Sequence, residues 1–193
     1  GLKGWAIDIS TGTRDLALEL ARLPEVDHTV GLDLLEGMVS RAKSKSASRG
    51  MSGSVTMMAG DALSLPFANG RFACATAGFS LRNMPDVGKA LSEMVRVVRP
   101  GGRVVILELC PMKAGLRSSL FRPMFHGLVP LLGRLVAGDG TAYSYLPKSV
   151  DSFLEVNRLA EMLSELGLAN VEFRRLGFGT VAMHWGVKLR PLA

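Results

Sequence analysis

The chain has 193 residues, 48% of them hydrophobic, with a mean hydropathy of +0.25, which supplies one full core and excludes a disordered tail protein. Its net charge of +6 and pI near 9.7 suit an anionic partner, whether nucleic acid, an acidic cofactor or a phospholipid surface. Aromatic residues are only 6% of the chain, too few for a platform that stacks on bases, so nucleic acid is set aside. Two cysteines, Cys74 and Cys110, cannot build a disulfide framework or a four-cysteine zinc site, and the chain reads as intracellular. No His, Cys or acidic cluster has ligand spacing, so no metal is expected. No basic stretch leads into an apolar run, so no signal peptide is expected. The most apolar stretch, Leu128 to Ala137, holds Pro130, Gly133 and Arg134 and falls short of the ~20 residues of a spanning helix.

In chain order, Trp5 to Ile9 is a short apolar run that stops at Ser-Thr-Gly, the pattern of a buried strand. Leu16, Ala17, Leu20 and Ala21 then recur at helical spacing. Thr29 to Asp33 predicts a second strand ending in a carboxylate. Met38, Val39 and Ala42 start a second helix with Arg41, Lys43 and Lys45 on its outer face. Ser54 to Met58 and Phe72 to Ala77 give strands three and four. Val87, Ala90, Leu91, Met94, Val95 and Val98 keep the i, i+3, i+4, i+7 spacing of an amphipathic helix, started by Pro85-Asp86 and stopped by Pro100-Gly101-Gly102. Arg103 to Leu109 predicts strand five. A late helix marked by Glu155, Leu159, Met162, Leu163 and Leu166 ends at Gly167. Val171 to Arg175 and Thr180 to Trp185 close the chain as two strands around Gly177 and Gly179.

Strands alternating with helices imply an α/β, doubly wound, Rossmann-like sheet, mostly parallel, with helices on both faces. The last two strands, joined by only a Gly-rich link, must form an antiparallel hairpin. In such sheets ligands sit at the carboxyl ends of the strands, near the switch point of strand order. Three features fall there. Asp8 to Asp15 makes a turn into a helix, with Gly12 allowing a polar ligand to approach the main chain. Asp33 is placed to accept from ribose hydroxyls. Gly60-Asp61-Ala62 offers an acceptor to an adenine amino group. A glycine turn can be only a turn, and a strand-terminal Asp only a helix cap, but their order and spacing favour an adenosine-containing ligand. NAD and S-adenosylmethionine both qualify. The G-x-G-x-x-G turn that holds a pyrophosphate is absent, and the antiparallel ending points away from a dehydrogenase sheet.

Four segments carry a family resemblance: Asp8 to Leu16, Gly60 to Phe67, Gly78-Phe79-Ser80-Leu81-Arg82-Asn83-Met84-Pro85-Asp86, and Arg96 to Glu108. Leu131 to Arg134 and Tyr143 to Ser149 add to it. Arg-Pro-Gly-Gly occurs across many methyltransferases, whereas Leu-Arg-Asn with the Glu108 ending is far more specific. The sequence resembles the UbiE/COQ5/MenG family of S-adenosylmethionine-dependent C-methyltransferases of quinone biosynthesis. That resemblance implies a single class I methyltransferase domain over residues 1–193, with 111–150 as a lid on the substrate side. It implies that Asp8, Gly12, Thr13, Asp33, Asp61, Ala62 and Gly78 contact S-adenosylmethionine, with Asp33 on the ribose and Asp61 on the adenine edge. Met38 would pack on the adenine or simply fill the helix core.

Two departures from the family pattern stand out. The family's "GTGD" is here Gly12-Thr13-Arg14-Asp15, and Arg14 either crowds the methionine moiety or pairs with its carboxylate. The family's N-terminal Tyr-Asp…Asn element has no counterpart, so the chain reads as a fragment in which cofactor binding is expected to be weakened.

Leu109 to Gly138 contains no Asp or Glu but carries Lys113, Arg117, Arg122 and Arg134 among apolar residues. Such a stretch suits an anionic bilayer surface, where a polyprenyl-tailed quinol resides, or equally a lid with solvated arginines. Phe121, Phe125, Leu128, Leu131 and Leu132 would line an oily channel. Methylating an aromatic carbon needs in-line positioning and a ring hydroxyl that loses its proton. His126, Asp139, Tyr143 and Tyr145 are candidate bases, and Arg82 is the leading candidate to stabilise a phenolate. His28 and His184 look like surface or strand residues. The expected function is C-methylation of a polyprenylated quinol, demethylmenaquinol or a ubiquinone precursor. The alternatives are an O- or N-methyltransferase of another metabolite, or a non-catalytic methyltransferase-like binding protein. The expected location is the cytoplasm, with peripheral contact at the inner face of the membrane, and a homodimer is left open.

Overall fold

The computed structural model describes residues 3–12, 15–111 and 149–190. The expectations for Thr13, Arg14, the 112–148 segment with His126 and Tyr143, and the last three residues lie outside them. Apolar runs near the chain start become β1 (Gly4–Ile9), β2 (Val26–Asp33), β3 (Val55–Ala59), β4 (Phe72–Gly78) and β5 (Val98–Leu109). Between and after them lie α1 (Asp15–Ala21), α2 (Glu36–Ser48), α3 (Val87–Val97) and α4 (Val156–Glu165), followed by β6 (Leu168–Leu176) and β7 (Val181–Lys188). All seven strands join one sheet in the order β3-β2-β1-β4-β5-β7-β6. The first five pair in parallel, and β7 runs antiparallel to both β5 and β6. The expected doubly wound sheet with an antiparallel ending is therefore the fold.

The order places β1 between β2 and β4, so the winding reverses there and opens a crevice beyond the carboxyl ends of the strands. Two apolar clusters cover the sheet. Ala17 and Leu18 of α1 and Val39 and Ala42 of α2 pack with Val55 and Met57 of β3. Leu91 and Met94 of α3 and Leu159 and Leu163 of α4 pack with Ile7, Ile9, Val30, Leu32 and Ile106, and Met58 joins this second cluster. Alternate residues of a strand point to opposite faces, so Met57 and Met58 show that the clusters lie on opposite sides of the sheet.

Helix α3 begins where Pro85-Asp86 predicts, because the Asp86 carboxylate accepts the Lys89 N–H at 2.8 Å and caps the first turn. Helix α4 is followed by Gly167 at φ 86°, the left-handed residue that closes a helix. The largest boundary difference is at β5, which starts at Val98 rather than at Arg103. Pro100-Gly101-Gly102 stops the helix as expected but then stays within the strand, and the pairing shifts register between Phe72↔Val98 and Cys74↔Arg103. The bulge needs glycine because a Cβ at position 102 would lie 2.6 Å from Val98 Cγ1 and 2.7 Å from the Ala73 carbonyl oxygen.

No helix among the described residues is long and apolar enough to cross a membrane. Gly102→Ala should lower stability by roughly 2 kcal/mol or more, because the clashing atom at Ala73 is backbone and cannot turn aside. Thermal unfolding measures this, and an unchanged melting temperature would remove the close approach from the account.

Candidate cofactor and substrate cleft

The loops that follow β1, β2, β3 and β4 converge on a cleft of about 590 Å³. Its walls are Ser10, Thr11 and Gly12 after β1, and Asp33, Leu34 and Leu35 at and beyond the end of β2. Gly60, Asp61, Ala62 and Leu63 follow β3, and Gly78, Phe79, Ser80, Asn83, Met84 and Pro85 follow β4.

The first loop turns through two left-handed residues, Ser10 at φ 54° and Gly12 at φ 51°. Gly12 takes that conformation without steric cost, whereas Ser10 holds it only because its neighbours are pinned. Thr11 N–H donates to the Leu32 carbonyl at 3.0 Å, and Gly12 N–H donates to Asp33 Oδ2 at 2.8 Å. The other oxygen of the same carboxylate, Oδ1, accepts the Leu35 N–H at 3.0 Å. Each oxygen retains a second acceptor site, so Asp33 can tie two loops together and still receive hydroxyl donors from a ligand.

Asp8 lies one layer deeper, 1% exposed, and does not line the cleft. Its Oδ2 accepts from Thr11 Oγ1 at 2.6 Å and its Oδ1 from Thr76 Oγ1 at 2.7 Å, joining the β1 turn to β4. Burial pushes its carboxyl up to about 6, the two hydroxyl donors pull it back, and the nearby Asp33 charge raises it further. Asp8 therefore supports the loop from beneath.

At the third loop the exposed Asp61 accepts the Leu63 N–H on Oδ1 at 2.8 Å, which turns the chain so that Ala62 and Leu63 face the cleft. Met38 is half-buried in the first turn of α2 and is not part of the wall. Gly78 is part of the wall.

At the fourth loop, Phe79 sits at φ 57° with 43% of its surface exposed, although its N–H is bonded to the Leu107 carbonyl at 2.8 Å. Arg82 begins no wall of its own. Its guanidinium is nearly buried and donates to the Glu108 carboxylate and to the Phe79 carbonyl. Glu108, 1% exposed, also accepts the Arg82 N–H at 3.3 Å and the Leu109 N–H at 2.8 Å. This pair fastens the short 3-10 turn Leu81–Asn83 to the end of β5 and leaves Asn83 and Met84 on the cleft side.

Leu34 and Leu35 line the cleft without having been singled out from sequence, and Phe79, Ser80, Asn83 and Met84, part of the 78–86 resemblance segment, line it without having been given a role there. One signal was available: Leu34-Leu35, 67% and 59% exposed, is an apolar pair placed in a loop immediately after the ribose-type carboxylate.

The donor set fits an adenosyl ligand. The cleft has the size of a small-molecule site, two carboxylates face it from neighbouring strand ends, and Ser80 Oγ on its wall is buried without a partner.

The sheet order and this cleft are those of an S-adenosylmethionine-dependent methyltransferase. The model of the ubiE/COQ5 methyltransferase family matches residues 2–188, and the chain belongs to that family. It is 40% identical over 183 residues to the demethylmenaquinone methyltransferase of Deinococcus radiodurans, covering 94% of this chain and 74% of that one. It is 35% identical over 185 residues to the ubiquinone/menaquinone biosynthesis C-methyltransferase UbiE of Desulfotalea psychrophila, covering 96% and 74%. Among solved structures, a SAM-dependent methyltransferase from Aquifex aeolicus superposes with a TM-score of 0.67 at 16% identity, over 98% of this chain and 85% of that one, a likeness of fold.

The raised carboxyl of Asp8 has a signed consequence. Between its ordinary value of 3.8 and about 6 the unfolded chain gives up this proton while the folded chain keeps it, so this group lowers stability as pH rises through that window. The effect is on the order of 3 kcal/mol. Asp8→Asn has no such titration, so its stability relative to the parent should climb between pH 4 and pH 6.5 in denaturant titrations; a pH-independent difference would refute the buried ionisation.

Proposed function

We propose that the protein transfers the sulfonium methyl group of S-adenosylmethionine to a ring carbon of a polyprenylated quinol, of the demethylmenaquinol or ubiquinone-precursor type. The observation that carries this reading is one cleft that holds the Asp33 and Asp61 carboxylates together with apolar Leu34, Leu35, Phe79, Met84 and Pro85, in a chain 40% identical to a demethylmenaquinone methyltransferase. When bound, S-adenosylmethionine supplies an electrophilic methyl group.

The chain's own part is positioning. Asp33 receives the ribose hydroxyls, the Asp61 carboxylate takes the adenine amino group, and Ala62 and Leu63 pack on the ring. Gly12 and Gly78 give the methionine end room beside the main chain, and Thr13 remains a proposed contact of the same end. Phe79, Met84 and Pro85 form the face against which a flat quinol ring lies, so that its carbon can approach along the sulfur–methyl axis. A bound quinol becomes reactive as its ring hydroxyl loses a proton, with His126 or Tyr143 the proposed acceptor; the ring carbon then takes the methyl as the sulfur–methyl bond breaks to leave S-adenosylhomocysteine, and the hydrogen on that carbon departs as a proton to restore the aromatic ring. Arg82, tied to Glu108 and to the Phe79 carbonyl, holds the apolar wall in place. The acid-free stretch from Leu109 to Gly138, with its four cations, supports a lipid-tailed substrate drawn from an anionic bilayer.

Incubating the protein with S-adenosylmethionine and demethylmenaquinol in micelles should give a product heavier by one methylene, with the new methyl on ring carbon. Methylation of a hydroxyl alone, or of simple phenols in preference to the quinol, would contradict the reading. Asp33→Asn should weaken S-adenosylhomocysteine binding by roughly tenfold or more in calorimetry, because a charged acceptor for two hydroxyls is lost.

A further inference from the structure

The segment between β3 and β4, residues 60–71, carries Asp61 and Ala62 but contains no helix or strand. Its backbone groups must find partners elsewhere. Those of Leu65, Phe67 and Gly70 find them on α3, the last through its N–H to the Arg96 carbonyl at 3.0 Å. Glu93, 6% exposed in the otherwise apolar face of that helix, accepts the Leu65 N–H on Oε2 at 2.8 Å. Arg96 grips the same carboxylate with two nitrogens, Nε to Oε1 and Nη2 to Oε2, both at 2.7 Å. The remaining guanidinium donors reach across to the segment. Nη2 donates to the Leu65 carbonyl at 2.9 Å, and Nη1 donates to the Phe67 carbonyl at 2.7 Å and to Asn69 Oδ1 at 2.9 Å. Leu65 is itself buried and Phe67 stands edge-on to Phe72, so the clamped residues cannot slide.

We propose that Glu93 and Arg96 are positioning residues for adenine recognition: their clamp at Leu65 and Phe67 sets the height and tilt of Asp61-Ala62-Leu63 in the cleft. A buried carboxylate in an apolar helix face is costly unless paired, and here its hydrogen-bond partners are the Leu65 N–H of the segment and the Arg96 guanidinium that holds the segment, with the Lys89 ammonium a more distant ion-pair partner at 3.9 Å. The planar fork of Arg96 contacts one carboxylate and two carbonyls at once, which a lysine ammonium cannot do. Any looseness introduced at Leu65 reaches Asp61 through the turn closed by Ser64 N–H on the Asp61 carbonyl at 3.1 Å and by Leu63 N–H on its side chain. The inference rests on the reading of Asp61 as acceptor of the adenine amino group.

The test compares two ligands by calorimetry on the full chain: S-adenosylhomocysteine, and S-inosylhomocysteine, in which an exocyclic carbonyl oxygen replaces the amino group. The parent protein should prefer the amino compound by roughly tenfold or more, since an acceptor facing a carbonyl is left unpaired. Arg96→Lys should cut that ratio to below about threefold by weakening the amino compound, and Glu93→Gln should reduce it in the same direction. Val156→Ala serves as the stability control. Val156 is buried with Cys110 and Ala182 in an apolar cluster apart from the segment and from Glu93 and Arg96, so its truncation should lower the melting temperature and leave the ratio intact. If the parent discriminates and Arg96→Lys discriminates equally, the clamp is refuted while the adenine reading stands. If the parent does not discriminate, both fall. If Val156→Ala collapses the ratio as far as Arg96→Lys does, the effect is one of general stability and the positioning role is refuted.

Discussion

One carboxylate fastens the site together. Asp33 closes β2, is nearly buried, and spends one oxygen on the Gly12 N–H and the other on the Leu35 N–H. It thereby fixes the turn after β1 to the turn after β2, across two neighbouring parallel strands. The left-handed Ser10 and Gly12 and the exposed Leu34 and Leu35 lie in the two turns that this side chain joins, and all four line the cleft. An acceptor pinned in this way is preorganised: it meets a pair of hydroxyls without first having to find its rotamer.

Around that fastening the protein uses three buried or nearly buried carboxylates, each holding a different loop. Asp8 lies beneath the first loop, Glu93 anchors the third and Glu108 anchors the fourth. None of the three faces the cleft, yet each is satisfied by donors from the loop it supports. Loops without regular structure of their own need such outside partners, and a charged acceptor forms stronger bonds than a carbonyl would. The arrangement keeps the cleft walls stiff while leaving their inner surfaces to Asp33, Asp61, Phe79 and Met84.

The fold was legible in the sequence because its signals are local. Period-3.6 spacing in α3, short apolar runs for the parallel strands and Gly167 after α4 each act within a few residues. The cleft carboxylates Asp33 and Asp61 were legible for a related reason, since they occupy strand ends in a fixed order. What escaped notice depends on distant pairing. Asp8 is a candidate cofactor contact from its place in the first loop, but its bond to Thr76, 68 residues away, has no local signal. Arg82 is likewise a candidate group for the substrate, and its bond to Glu108, 26 residues on, could not be read from its own segment. The early start of β5 arises from the approach of Gly102 to the Ala73 carbonyl, which no local pattern announces.

The most direct test of the account is the structure of the protein with S-adenosylhomocysteine. Both ribose hydroxyls should lie within hydrogen-bond distance of the Asp33 carboxylate while Gly12 N–H and Leu35 N–H remain bonded to it, with the adenine ring against Ala62 and its amino group at Asp61. A ligand seated elsewhere, or an Asp33 side chain that must swing off Gly12 to admit the ribose, would contradict it.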